Sequence, residues 1–346
     1  MTAGTSKGGA VQVQFTWLFA LFAGAIILLF FITFITSLSN SSEKTLCVDI
    51  RTDLDTVFVG AGTSLGTAIN ISVAELDLTL DCSGYEMPEC SSPFGSRMVF
   101  APQHLRGKKL ISYALGYDMP YRAANILYLT TPDIRYVFIG GSNEVSQLYD
   151  MMPDAVNKEL LVDESEAADL ENQNNPLVRV VVTGGNSDYY LNLGELNALP
   201  KGELSIVAVE PDPTSGLRVT YLAQDDADTQ RFLPVSSFLV VGDEAALGAV
   251  YSGNGELFNC TFARGLEHYK YVTEVYWQRA INLQATPALS RSCRTRYSAA
   301  NTQFQNLREA IDNYLNTGDP TTILTHVSRL QDLNEQLKLY SCPTIY

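Results

Sequence analysis

The first pattern along the chain is an unbroken apolar run. No Asp, Glu, Lys or Arg occurs between Lys7 and Glu43, and residues 15–38 read FTWLFALFAGAIILLFFITFITSL. About 20 apolar residues in a helix cross the ~30 Å hydrocarbon core of a bilayer. The run therefore predicts a transmembrane anchor helix over 15–38, preceded by a lead of residues 1–14. A cleaved secretory signal has an apolar core of about 7–15 residues closed by a small-residue A-x-A site. This run is longer and leaves through Thr36, Ser37, Leu38, Ser39 and Asn40. An uncleaved signal anchor fits it better.

Beyond the anchor the period changes to two. Residues 67–72 and 76–81 alternate apolar with polar, the mark of half-buried strands. Residues 96–100 and 126–130 are further strand candidates, and 39–131 reads as a neck followed by a β-rich region. Over 132–260 short apolar runs alternate with helix-like segments. Strands are expected at 134–139, 178–183, 204–209 and 238–241, with helices at 145–152 and 245–251. This order predicts an α/β domain with a mainly parallel sheet and crossover helices. Residues 157–175 are polar and acidic, as in a surface helix and loop.

Over 261–346 the period is helical, with segments at 262–284, 297–316 and 320–340 forming a hairpin or bundle. In the last, Ile323, Val327, Leu330, Leu333, Leu337 and Tyr340 make one stripe. Asp319 suits its cap and Pro320 its first turn. Gly318 suits the end of the helix before it.

Charge orients the chain. Lys7 precedes the apolar run, whereas Glu43 and Lys44 nearly cancel after it. The positive-inside bias puts the N-terminus in the cytoplasm and the bulk of the chain outside it. Formal net charge is −15 over the whole chain, and Lys7 is the one basic residue before Glu43. So acidic a surface argues against nucleic acid and anionic lipid headgroups as partners. Asn40, Asn70 and Asn259 each begin an N-x-[ST] sequon, which fits an extracytoplasmic location.

Lys7-Gly8, the polar lead Gly9, Ala10, Val11, Gln12, Val13 and Gln14, and the long apolar helix resemble the N-termini of archaeal type IV pilin-like precursors. The same stretch is similar to the start of single-pass archaeal surface proteins with a Q-F-x-W opening to the helix. The resemblance covers about 30 of 346 residues. It implies cleavage after Gly8 or Gly9 and packing of the apolar helix in a filament core. The early glutamate of that family has no counterpart among residues 12–16.

Six cysteines fit an oxidising compartment and allow fifteen pairings. Up-down-up helix geometry brings Cys293, before the second C-terminal helix, near Cys342, after the third. Cys82 and Cys90 flank a turn-rich loop and form the second expected pair. Elimination leaves Cys47 with Cys260.

The string most like an enzyme motif is Gly62-Thr63-Ser64-Leu65-Gly66, a match to G-x-S-x-G. In hydrolases this elbow needs a strand before the serine and a helix after it. Ser64 would then be the nucleophile, with His104, His268 or His326 as base. The plainer reading is a glycine-rich turn. Gly140, Gly141, Gly184, Gly185 and Gly242 follow predicted strands, so their crevice is the expected pocket for a small ligand. None completes a phosphate-binding motif, and no cofactor is implied. Asp225, Asp226 and Asp228 lack the glycine and distal glutamate of a calcium loop. The sequence therefore predicts a single-pass surface protein that binds or assembles without catalysis. A filament subunit and an anchored serine hydrolase using Ser64 are the alternatives.

Overall fold

The computed structural model describes residues 21–34, 48, 51–52, 54–56, 58–60, 65–87, 90–184, 188–212 and 216–346. Two bodies are distinguished: residues 1–54 with 88–90, and residues 55–87 with 91–346. In the first, residues 21–34 form helix α1. Leu21, Phe22, Ile26, Ile27, Leu28 and Leu29 on it are all exposed. At 1.5 Å per residue this described part is about 21 Å long. Among the described residues no helix is long and apolar enough to cross a membrane. The rest of the expected anchor, 15–20 and 35–38, lies outside the described residues.

The second body holds two sheets. The first contains β1 (Ala68–Leu80), β2 (Gly84–Met87), β3 (Cys90–Pro93), β4 (Met98–Phe100), β5 (His104–Asp118) and β6 (Arg122–Thr130), in the order β3-β2-β1-β5-β6-β4. The two short strands expected at 67–72 and 76–81 are one long strand, β1. Its register against β5 shifts between Ser72 and Leu76. That shift marks a bulge, which interrupts a strict alternation without ending the strand.

The second sheet contains β7 (Ile134–Ile139), β8 (Lys158–Leu161), β9 (Leu177–Thr183), β10 (Tyr189–Tyr190), β11 (Leu204–Asp212), β12 (Gly216–Gln224) and β13 (Arg231–Val240), in the order β10-β13-β12-β11-β9-β7-β8. The expectation of a mainly parallel sheet is corrected here. β8, β7, β9 and β11 are parallel, whereas β11-β12, β12-β13 and β13-β10 are antiparallel. The cause is connection length. Only a few residues separate β11 from β12, and a parallel return needs a crossover of a dozen or more.

Helices cover one face of this sheet. α2 (Asn143–Met151) packs on β7, β8, β9 and β11. α3 (Asp243–Tyr251) contacts β11 and β12 of the second sheet and β4, β5 and β6 of the first. Every residue from Ala245 to Tyr251 is buried, as expected of a helix apolar all round. The opposite face of the second sheet carries Val137, Val180, Ile206 and Leu222, capped by Leu170, Leu193 and Leu196. Leu196 lies in a short 3-10 turn, Gly194–Ala198, that Leu193 precedes, and Leu170 follows another at Glu164–Asp169.

α4 (Gly255–Ala285), α5 (Arg291–Thr317) and α6 (Thr321–Leu339) complete the chain. α5 packs on both α4 and α6. Gly318 takes the left-handed conformation at the end of α5, and its N–H donates to the Tyr314 carbonyl at 2.7 Å. The Asp319 carboxylate accepts from the Thr321 N–H at 3.0 Å. Ile323, Val327, Leu330 and Leu337 are buried, as the stripe predicts, while Tyr340 is exposed.

Cys293 is bonded to Cys342, the pair that helix geometry predicted. The other two expected pairs are corrected, because Cys82 is bonded to Cys260. That bond excludes both Cys82–Cys90 and Cys47–Cys260. The Asp81 carboxylate accepts from the N–H groups of Ser83 and Gly84 at 2.7 and 2.8 Å. This makes a tight turn at Cys82, and residues 84–87 and 90–93 then run as strands. Cys47 lies outside the described residues.

Candidate functional site

The glycines expected to form a crevice do sit at strand ends. Gly140, Gly184 and Gly242 have φ of 110°, 121° and 89°, values that L side chains rarely adopt. They do not form a phosphate cradle. The Gly140 N–H donates to the Leu161 carbonyl at 2.9 Å, and the Gly184 N–H donates to Val209 at 3.0 Å. Both amides are therefore spent on the sheet. The space over Gly184 is filled by Tyr189, whose hydroxyl donates to the Thr183 carbonyl at 3.1 Å. Gly141 faces Val162, and Gly185 lies outside the described residues.

The rim at this end is acidic. Gln147, on α2, donates to the Asp243 carboxylate at 2.5 Å. Burial, reinforced by Glu144, holds the Asp243 carboxyl above its ordinary range. Burial also raises Glu244, with Asp243 and Asp118 adding to the effect and Arg122 opposing it. Each carboxylate disfavours the next, so this end binds protons more readily than isolated acids would. Among the described residues no group of three or more His, Cys, Asp or Glu is placed to hold a metal ion.

The three candidate histidines have separate surroundings. Ser64 lies outside the described residues. Around it, 54–56 and 58–60 are helical and strand β1 follows. The order required by a nucleophile elbow, strand then helix, is reversed. His104 contacts the Thr79 hydroxyl at 3.3 Å, whereas His326 contacts Gln303 at 3.0 Å. His268 lines a cavity of about 230 Å³ with Ser96, Arg97 and Asn125. Asp225 and Asp228 accept from the N–H groups of Ala227 and Gln230, and Asp226 pairs with Lys201. Asn70 and Asn259 are exposed, on β1 and α4, and Asn40 lies outside the described residues.

A different pocket opens at the other end of the second sheet. A pocket of about 300 Å³ lies between the start of β11, the end of β12, the middle of β13 and residues 253–255 before and at the start of α4. The backbone comes close here. A Cβ on Gly255 would stand 2.1 Å from the Ser236 hydroxyl oxygen. Asn254 caps α4 by accepting from the Leu257 N–H at 2.8 Å.

Beneath this corner lies Arg179, on β9 and 1% exposed. Its Nη1 donates to the Gly253 carbonyl at 3.3 Å. Its Nε and Nη2 have no hydrogen-bond partner among the described residues. Burial pulls its pKa down, while the phenols of Tyr136 and Tyr221 pull it up. Ser205, opposite Arg179 in the parallel register, lines the pocket, and its buried hydroxyl has no hydrogen-bond partner among the described residues. Sequence reading missed this site. Its one visible signal was a charged residue inside the apolar run 178–182.

No family model, no curated protein and no solved structure matches this chain.

Proposed function

We propose that the protein is anchored in a membrane through residues 15–38, with its N-terminus in the cytoplasm. Its large α/β body lies outside and has a non-catalytic role in binding or assembly at the cell surface. The observation that carries this reading is α1, whose apolar side chains are exposed within an uncharged run of sequence. A helix apolar all round needs an apolar environment, and a bilayer is the usual one. The disulfides Cys82–Cys260 and Cys293–Cys342 favour an oxidising compartment for the body. The archaeal pilin-like resemblance points to a neighbouring function, in which the same helix packs into a filament core.

Two measurements on native membranes test this. Alkaline carbonate should leave the chain in the pellet, and protease added outside intact cells should digest the body. Release into the supernatant, or full protection from the protease, would sink the proposal. The mature N-terminus, read by mass spectrometry, separates the two assembly modes. A chain starting at Met1 or Thr2 supports the uncleaved anchor, and one starting at Gly9 or Ala10 supports the filament subunit.

A further inference from the structure

We infer that Asn70, on an open edge of β1, is an N-glycosylation site of the folded body and that Asn259 is not. The inference rests on the proposed placement of that body outside the cytoplasm.

An N-x-[ST] sequon offers two groups, the amide of its asparagine and the hydroxyl two residues on. Both must be presented together. In a strand, residues i and i+2 project from the same face. Asn70 and Ser72 stand in that relation on β1, and both are exposed. A helix with 3.6 residues per turn rotates by about 200° over two residues. Asn259 and Thr261 lie on α4, so their side chains leave it on nearly opposite sides. Asn259 is exposed, whereas Thr261 is 1% exposed. Cys260, between them, is bonded to Cys82, which holds that turn of α4 against the end of β1. The fold therefore displays the whole of the first sequon and hides half of the second.

The place on β1 suits a bulky group. Among the described residues, β2 pairs with β1 at Thr79 and Leu80, whereas residues 68–72 pair with β5 alone. The first part of β1 is thus an edge. Open edges are templates for pairing with other chains, and proteins blunt them with charge, proline or a bulge. No Asp, Glu, Lys or Arg occurs between Asp55 and Glu75, and the bulge of β1 comes after Ser72. A glycan is bulky and solubilising. On Asn70 it would cover an edge that has no charge of its own.

The donor is an oligosaccharide carried on a polyisoprenyl phosphate lipid. The Asn70 amide nitrogen bonds to the anomeric carbon of the sugar. The bond from that carbon to the phosphate oxygen breaks, and the amide gives up one proton as the lipid phosphate leaves.

The test takes the protein from its native membranes, reduces it, digests it with trypsin and measures the peptides by mass spectrometry. Reduction parts Cys82 from Cys260, so residues 52–97 and 232–264 come off as separate peptides. Asn70 is the one asparagine in the first, and Asn259 begins the sequon in the second. The 52–97 peptide should gain the mass of an oligosaccharide, and the 232–264 peptide should gain none. Asn70→Gln and Ser72→Ala should each remove the added mass, and Ser72→Thr should keep it. Both side chains are exposed, so these variants keep the fold. An unmodified 52–97 peptide, added mass that survives Asn70→Gln, or a glycan on Asn259 overturns the inference. Protease added outside intact cells tells the two failures apart. A digested body with an unmodified Asn70 overturns this inference alone, whereas a protected body with an unmodified Asn70 overturns the anchored reading with it.

Discussion

Cys82, at the turn after β1, is bonded to Cys260, in the second turn of α4, across 178 residues of sequence. The bond ties the first sheet to the helix whose start forms the pocket. Asn254 donates to the Gln103 side chain at 3.3 Å, and Gln103 also receives the Leu80 N–H through its carbonyl at 2.8 Å. The start of α4 is thus held to the first sheet by a covalent bond and by hydrogen bonds.

Cross-linking a long loop removes entropy from the unfolded chain, and losing a native disulfide typically costs about 2–5 kcal/mol. The double variant Cys82→Ser/Cys260→Ser should therefore unfold at lower denaturant, with a loss in that range. The comparable Cys293→Ser/Cys342→Ser pair closes a shorter loop, of 49 residues, and should lose somewhat less. Chemical denaturation of the three proteins checks both the sign and the order.

Gly248, in α3, faces the Phe100 ring of the first sheet, and a Cβ there would stand 2.6 Å from it. Alanine is the better helix former by up to ~1 kcal/mol. In a tightly packed interior, overpacking costs about 1–3 kcal/mol. Gly248→Ala should consequently destabilise the protein despite its higher propensity. A higher melting temperature in the variant would show that Phe100 can move aside.

Asp243 and Glu244 are both raised above their ordinary values, by burial first and by neighbouring carboxylates second. The native state therefore holds their protons more tightly than the unfolded chain does. Stability contributed by these groups is lost as pH rises from the unfolded carboxylate values, near 4, toward neutral. Glu244→Gln should raise the melting temperature at pH 7 and have little effect at pH 4. A gain of equal size at both pH values would assign it to packing rather than titration.

The elements with local signals were legible in the sequence. β7, β9, α2 and α3 follow from short apolar runs and their flanking turns. The three C-terminal helices follow from period and caps, with Gly318 and Asp319 acting as their residue types suggest. β5 and β12 were not legible as strands. β5 passes through Gly107, Lys108 and Lys109, a polar stretch that breaks its alternation, and its pairing with β1 supplies the hydrogen bonds instead. β12 carries polar residues among its apolar ones, and its neighbours β11 and β13 hold it in place. With β12 unread, the antiparallel half of the sheet was unread as well.

The sequence by itself determined an uncharged apolar helix, an acidic disulfide-bearing body and the period of most of its elements, because each depends on residues close together in the chain. Only the tertiary structure decided the mixed sheet, the Cys82–Cys260 bond and the meeting of Arg179, Ser205 and the start of α4. Those relationships join positions tens to hundreds of residues apart, and no local period records which strands become neighbours. The strand-end glycines show the same limit from the other side. Their conformation was foreseeable, but whether their amides stayed free depended on Leu161 and Val209 in neighbouring strands.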